Sequence, residues 1–88
     1  MEVYEVEVLN SYIGKKIRKR RLQMGWSAAV LGEKIGLSQQ QISRYECGIQ
    51  NITIIRLCIL ADILQCDINY FIGDYLNNTK FFHKDIGV

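Results

Sequence analysis

Proline is absent from all 88 residues, so no position surrenders its backbone N–H and unbroken helices are permitted throughout. No uncharged apolar run reaches the roughly 18 residues that a membrane span requires. The acidic start, MEVYEVEV, also lacks the basic region of a secretory signal, so the chain is expected in the cytoplasm and away from membranes. Histidine occurs once, as His83 beside Phe81 and Phe82, without a partner set for a triad or a metal. Catalysis, a metal and a cofactor are therefore not expected, and no ligand-binding segment is evident. Cys47, Cys58 and Cys66 are odd in number and spaced by 11 and 8 residues, which fits neither a disulfide framework nor a zinc site. Reduced thiols follow. Internal repeats and low-complexity stretches are missing too, and the length suits one domain with one modest core.

What is present is unevenly distributed. Residues 1–14 carry three acids and no bases, residues 15–56 nine bases and two acids, and residues 57–88 two bases and four acids. A basic module thus lies between acidic ends, and a local excess of this kind attracts polyanions although the whole chain carries only +2.

Periodicity gives the scaffold. Ile13, Ile17 and Met24 share a helical face with Arg21, where Ile or Leu is expected, while Lys15, Lys16, Lys19 and Arg20 point elsewhere. Gly25 ends this helix and Ser27 caps the next, roughly Ala28 to Ile35, with Trp26 placed to staple onto Leu31. Gly36 stops the second helix. Ser38 and Gln41 have the S-x-x-Q spacing of a capping box, so a third helix begins at Ser38 and ends near Glu46 or Cys47, before Gly48. Helix, tight glycine-centred turn and helix form the geometry of a DNA-binding helix-turn-helix. Residues 53–64 predict a nearly all-apolar fourth helix with Ile54, Leu57, Leu60, Ala61 and Leu64 toward the core, and CDINYFI predicts a short fifth from Asp67 to about Ile72. EVYEVEVL alternates like a strand but equally extends the first helix.

Residues 13–72 resemble the lambda-repressor-like, Cro-type (XRE) helix-turn-helix family through IGKKIRKRR, LGEKIGLSQQQISRYECG and LCILADIL. More narrowly, SQQQISRYE is similar to the motif of short regulators encoded with enterobacterial fimbrial operons, which link adhesion to motility. The resemblance implies an all-α, five-helix domain over residues 13–73, between an N-terminal extension (1–12) and a C-terminal tail (74–88), that regulates transcription at the nucleoid by binding double-stranded DNA. It assigns base reading to Gln39, Gln40 and Arg44. The side-chain chemistry agrees independently, since Gln pairs bidentately with adenine and Arg with guanine. Ser27, Gln41, Ser43, Lys15, Lys16, Lys19 and Arg20 are expected on the DNA backbone, with Arg56 as a further source of charge. Arg21 and Glu46 take the positions of a structural ion pair, because an arginine on an apolar face needs a partner. The family pattern also fails in places. Ala28 stands where a phosphate-binding glutamine is usual, Gly32 where an alanine is, and Cys47 where an asparagine often is.

The fourth helix holds more apolar surface than one core uses. Ile55, Ile59 and Ile63 recur at i, i+4 and i+8 beside the core face and predict a homodimer interface, or a seat for the terminal segments. A twofold dimer suits an inverted-repeat operator. Two other functions fit some of the residues. Cys47, near Arg44, suits a thiol redox-responsive regulator, with Cys58 and Cys66 expected in the core, whereas Ala28 and Cys47 suit an interaction adaptor that has lost DNA binding.

Overall fold

Ser27, Ser38 and Thr53 each stand in extended backbone, and each side-chain oxygen accepts the backbone N–H three residues on, so a helix starts after every one of them. The computed structural model describes residues 3–78 and is built from α1 (Val3–Gln23), α2 (Ala28–Ile35), α3 (Gln39–Glu46), α4 (Ile54–Ile63) and α5 (Asn69–Asn78). Among the described residues there is no strand. α5 starts differently, at an aspartate turn in which Asp67 Oδ1 accepts the Asn69 N–H at 2.8 Å.

The helix ends share one device. At the end of α1 the Trp26 N–H donates to the Arg21 carbonyl at 3.1 Å and the Gly25 N–H to the Leu22 carbonyl at 3.0 Å, around a left-handed Gly25. Gly36 and Gly48 close α2 and α3 in the same left-handed region. α4 ends with the same bond pattern around Gln65, a non-glycine residue at φ 56°. Arg20 compensates part of that strain. Its Nε donates to the Leu64 carbonyl at 2.8 Å and an Nη to the Gln65 carbonyl at 3.3 Å.

All five helices enclose one core. Ile13 and Ile17 of α1, Leu31 of α2, Ile42 and Tyr45 of α3, Leu57, Leu60 and Ala61 of α4 and Phe71 of α5 are buried together. α1 packs on α3 and α5, and α2 on α3 and α4. Burying one such aliphatic side chain stabilises the fold by about 1.5–3 kcal/mol, so the centre tolerates little truncation.

The structure settles the reading left open at the N-terminus and departs from the sequence-based expectation at four places. The N-terminal alternation is resolved as helix, and α1 runs from Val3 instead of Ile13. α5 continues to Asn78, past the expected end near Ile72 and into the segment assigned to the tail. Ile54, expected in the core, is 63 % exposed because it is the first residue of α4 and projects past the core's edge, where the loop residue Ile52 packs instead. Cys58 is likewise exposed, since it lies about 100° around the helix from Leu57. Ile63, expected outside the core, is half-buried against it, flanking Leu60 and Leu64. His83, Phe81 and Phe82 lie outside the described residues.

Candidate nucleic-acid interface

α3 divides its side chains cleanly. Ile42 is fully buried and Tyr45 is 8 % exposed, whereas Gln39, Gln40, Ser43, Arg44 and Cys47 are all exposed. These five positions follow one another at i, i+1, i+4, i+5 and i+8, which is a single stripe along a 3.6-residue helix. Gln39, Gln40 and Arg44 are therefore brought together, with Ser43 beside them. None of the four side chains makes a hydrogen bond or ion pair to another described residue that would hold it inside the fold.

Gln41 has a different task. Ser38 Oγ accepts the Gln41 N–H at 3.1 Å and Gln41 Oε1 accepts the Ser38 N–H at 3.0 Å, completing the capping box. Its amide nitrogen keeps both hydrogens for another acceptor. Ser27 is similarly divided: its oxygen accepts the Val30 N–H at 3.1 Å while the exposed hydroxyl retains its own proton to donate.

The tight turn before α3 depends on Gly32. The Leu37 N–H donates to the Gly32 carbonyl at 2.8 Å, and a Cβ on residue 32 would sit 2.5 Å from the Leu37 carbonyl oxygen. Any side chain at this position, alanine included, needs the turn to open, because the atom it meets is backbone.

At its C-terminal end α3 is anchored through charge. Arg21 Nε donates to Glu46 Oε2 at 2.7 Å and an Nη to Glu46 Oε1 at 2.9 Å, while the other Nη donates to the Trp26 carbonyl at 2.8 Å. The two side chains are 9 % and 6 % exposed. Hydrogen bonding to Glu46 raises the Arg21 pKa above its ordinary value, against burial, which acts to lower it. The bidentate pair joins α1, the α1–α2 turn and the end of α3 at one point.

The basic residues of α1 separate into three environments. Lys15 and Lys19 are exposed, together with Arg18, a cation that the sequence reading left unassigned although it shares their spacing. Lys16 Nζ lies 4.9 Å from the Tyr70 ring centroid and 5.6 Å from that of Tyr12, so its charge is partly occupied by α5. Arg20 is committed to the α4–α5 corner, and its remaining Nη donates to Gln23 Oε1 at 3.2 Å. Arg56, in the first turn of α4, is half-buried.

Among the thiols, Cys47 ends the α3 stripe and is exposed. Burial pushes the half-buried Cys66 thiol up in pKa, with neighbouring Arg20 acting in the opposite direction. The Tyr70 hydroxyl next to it is also pushed up by burial and has no hydrogen-bond partner among the described residues. On the outer side of α4, Ile55 is 70 % and Ile59 43 % exposed, and Ile54 and Cys58 widen that apolar strip. Among the described residues no cluster of His, Cys, Asp and Glu is placed to hold a metal, and no helix is long and apolar enough to cross a membrane.

Comparison with known proteins agrees with this geometry. Residues 17–71 match the helix-turn-helix family. An uncharacterized HTH-type transcriptional regulator of Sinorhizobium fredii is 34 % identical over 76 residues, covering 86 % of this chain and 53 % of its own. Another, from Rickettsia conorii, is 39 % identical over 66 residues, or 75 % of this chain and 53 % of its own. An uncharacterized transcriptional regulator in the ATPase CF(0) region of Rhodospirillum rubrum is 35 % identical over 66 residues, 75 % of this chain and 61 % of its own. The chain thus spans about half the length of the first two. No solved structure matches it. With that match, the five-helix order, the capped turn between α2 and α3 and the exposed stripe on α3, the chain belongs to the helix-turn-helix family of the Cro/XRE type.

Proposed function

We propose that this chain is a sequence-specific DNA-binding module of a cytoplasmic transcriptional regulator, with α3 lying in the major groove. Gln39, Gln40 and Arg44 read base edges. The observation that carries the reading is the division of α3, whose buried side and Glu46 clamp fix the helix while its exposed stripe presents amide and guanidinium groups. Those groups match the two-point patterns of adenine and guanine. A helix face needed only for solubility is usually built from Glu and Lys, and the stripe contains neither.

Phosphate contacts come from the N-terminal ends and from α1. Ser27 and the free N–H groups at the start of α2 face the backbone, which lets Ala28 act through its N–H in place of a side chain. Ser43 and the amide nitrogen of Gln41 flank the base-reading groups, and Lys15 and Lys19 add charge. Lys16 and Arg20 contribute to the field while held by Tyr70 and the Leu64 carbonyl.

The exposed strip on α4 suits a twofold dimer through Ile55 and Ile59, with Ile63 at its inner margin. Two copies of α3 then meet half-sites about 34 Å apart on an inverted repeat. Control of fimbrial or motility genes rests on the likeness of SQQQISRYE alone. Selection of binding sites from a random duplex library, followed by genome-wide footprinting, tests the whole reading. A two-half-site consensus with adenine or guanine at contacted positions is expected; recovery of no consensus refutes base reading.

A further inference from the structure

The end of α3 meets α1 at a second place besides the Arg21–Glu46 pair. Gly14 is buried beneath the C-terminal carbonyls of α3: a Cβ there would overlap the Tyr45 oxygen and come within 2.5 Å of the Glu46 oxygen. One turn earlier, Ser11 lies against Gly48, where a Cβ would be 2.7 Å from Ser11 Oγ and 2.8 Å from Ser11 Cα. Asn10 Nδ2 donates to Asn51 Oδ1 in the loop that follows. Three successive contacts therefore seat the α3 terminus and its outgoing loop directly on α1. All of them precede residue 17, where the family match begins.

We infer that Asn10–Gly14 is a positioning element that sets the tilt of α3 and thereby the discrimination between DNA sequences. The inference rests on α3 being the base-reading helix. Its physical ground is the difference in tolerance between two kinds of contact. Bidentate pairing to a base edge needs both hydrogen bonds near linear, so a small tilt of α3 disturbs it. Phosphate contacts come from long side chains and act largely through charge, so the same tilt leaves them nearly intact. Gly14 gives the closest approach, because any side chain there pushes on backbone and not on a flexible tip.

The test compares wild type, Gly14→Ala and Asn10→Ala, each checked for helical circular dichroism, on the selected site and on random duplex of equal length. Gly14→Ala is expected to lose the equivalent of one base contact, about tenfold or more on the selected site, with random DNA within about twofold. Asn10→Ala, which removes one exposed hydrogen bond, should lower the ratio of selected to random affinity by about threefold. A merely structural role lowers the folded fraction and so weakens both DNAs equally; that outcome, or an unchanged ratio, overturns the inference. If Gly14→Ala does not fold, Asn10→Ala decides alone. A wild-type protein that does not discriminate between the two DNAs overturns base reading by α3 and this inference with it.

Discussion

Removing the carboxylate of Glu46 leaves a guanidinium that is already out of water. Arg21 is 7 % exposed, and its two bonds to Glu46, at 2.7 and 2.9 Å, are what compensate its lost hydration. In Glu46→Ala only the bond to the Trp26 carbonyl remains. Breaking a buried pair from one side costs about 3–5 kcal/mol, whereas an exposed pair is worth about 0–1. Against a total of about 5–15 kcal/mol for a domain of this size, the loss is a large fraction. At roughly 5 °C per kcal/mol, Tm should fall by about 15–25 °C. Thermal and urea unfolding followed by circular dichroism gives the value directly. The double variant Arg21→Met, Glu46→Leu separates charge burial from packing, since replacing both partners by apolar groups is close to neutral. It should be much more stable than Glu46→Ala. A loss below about 1 kcal/mol in Glu46→Ala refutes the claim that the pair is desolvated; a double variant no better than the single refutes the claim that the orphaned charge is the cause.

The other predictions concern DNA, assembly and thiols. Arg44→Ala should cost about 1–3 kcal/mol on the selected site and much less on random duplex, and equal losses in a titration of both move Arg44 to the phosphates. Lys19→Ala should weaken all sequences alike and lower the salt slope by about 0.9, while an unchanged slope removes it from the interface. Ile59→Glu should sediment as a folded monomer at micromolar concentration; a folded dimer contradicts the α4 interface, and an unfolded chain shows that the strip is covered within the protomer. Iodoacetamide mapped by mass spectrometry should label Cys47 and Cys58 before Cys66, whose raised pKa reduces its thiolate fraction at mildly alkaline pH, and bound operator should protect Cys47.

The parts of the fold legible in the sequence were those encoded by local chemistry. Ser27, Ser38 and the Gly25 and Gly36 stops act within a few residues, so the bounds of α2 and α3 follow from the order of residue types. The misassigned positions depend on what packs across space. Ile54 and Cys58 are apolar positions on an apolar helix, and only the reach of the surrounding helices decides which of its sides is covered. Packing across space also decides what the ends of Lys16 and Arg20 meet, since their spacing matches that of Lys15 and Lys19 while Tyr70 and the Leu64 carbonyl come from α5 and the end of α4. The seat formed by Gly14 was unreadable for a related reason, since a glycine inside a helix carries no record of the backbone lying against it.

The division of α3 also bears on how such a protein changes over generations. Ile42, Tyr45 and Glu46 hold the helix in place, and the exposed side chains of residues 39, 40, 43 and 44 bond to no other described residue. Substitutions at exposed positions of this kind generally alter stability by no more than about 0.5 kcal/mol. Residues 39, 40, 43 and 44 can therefore be exchanged one at a time without passing through an unfolded intermediate. With α3 as the proposed base-reading helix, duplicated copies of the gene can drift toward different target sequences while sharing one unaltered scaffold, and retargeting by design can follow the same single-step route.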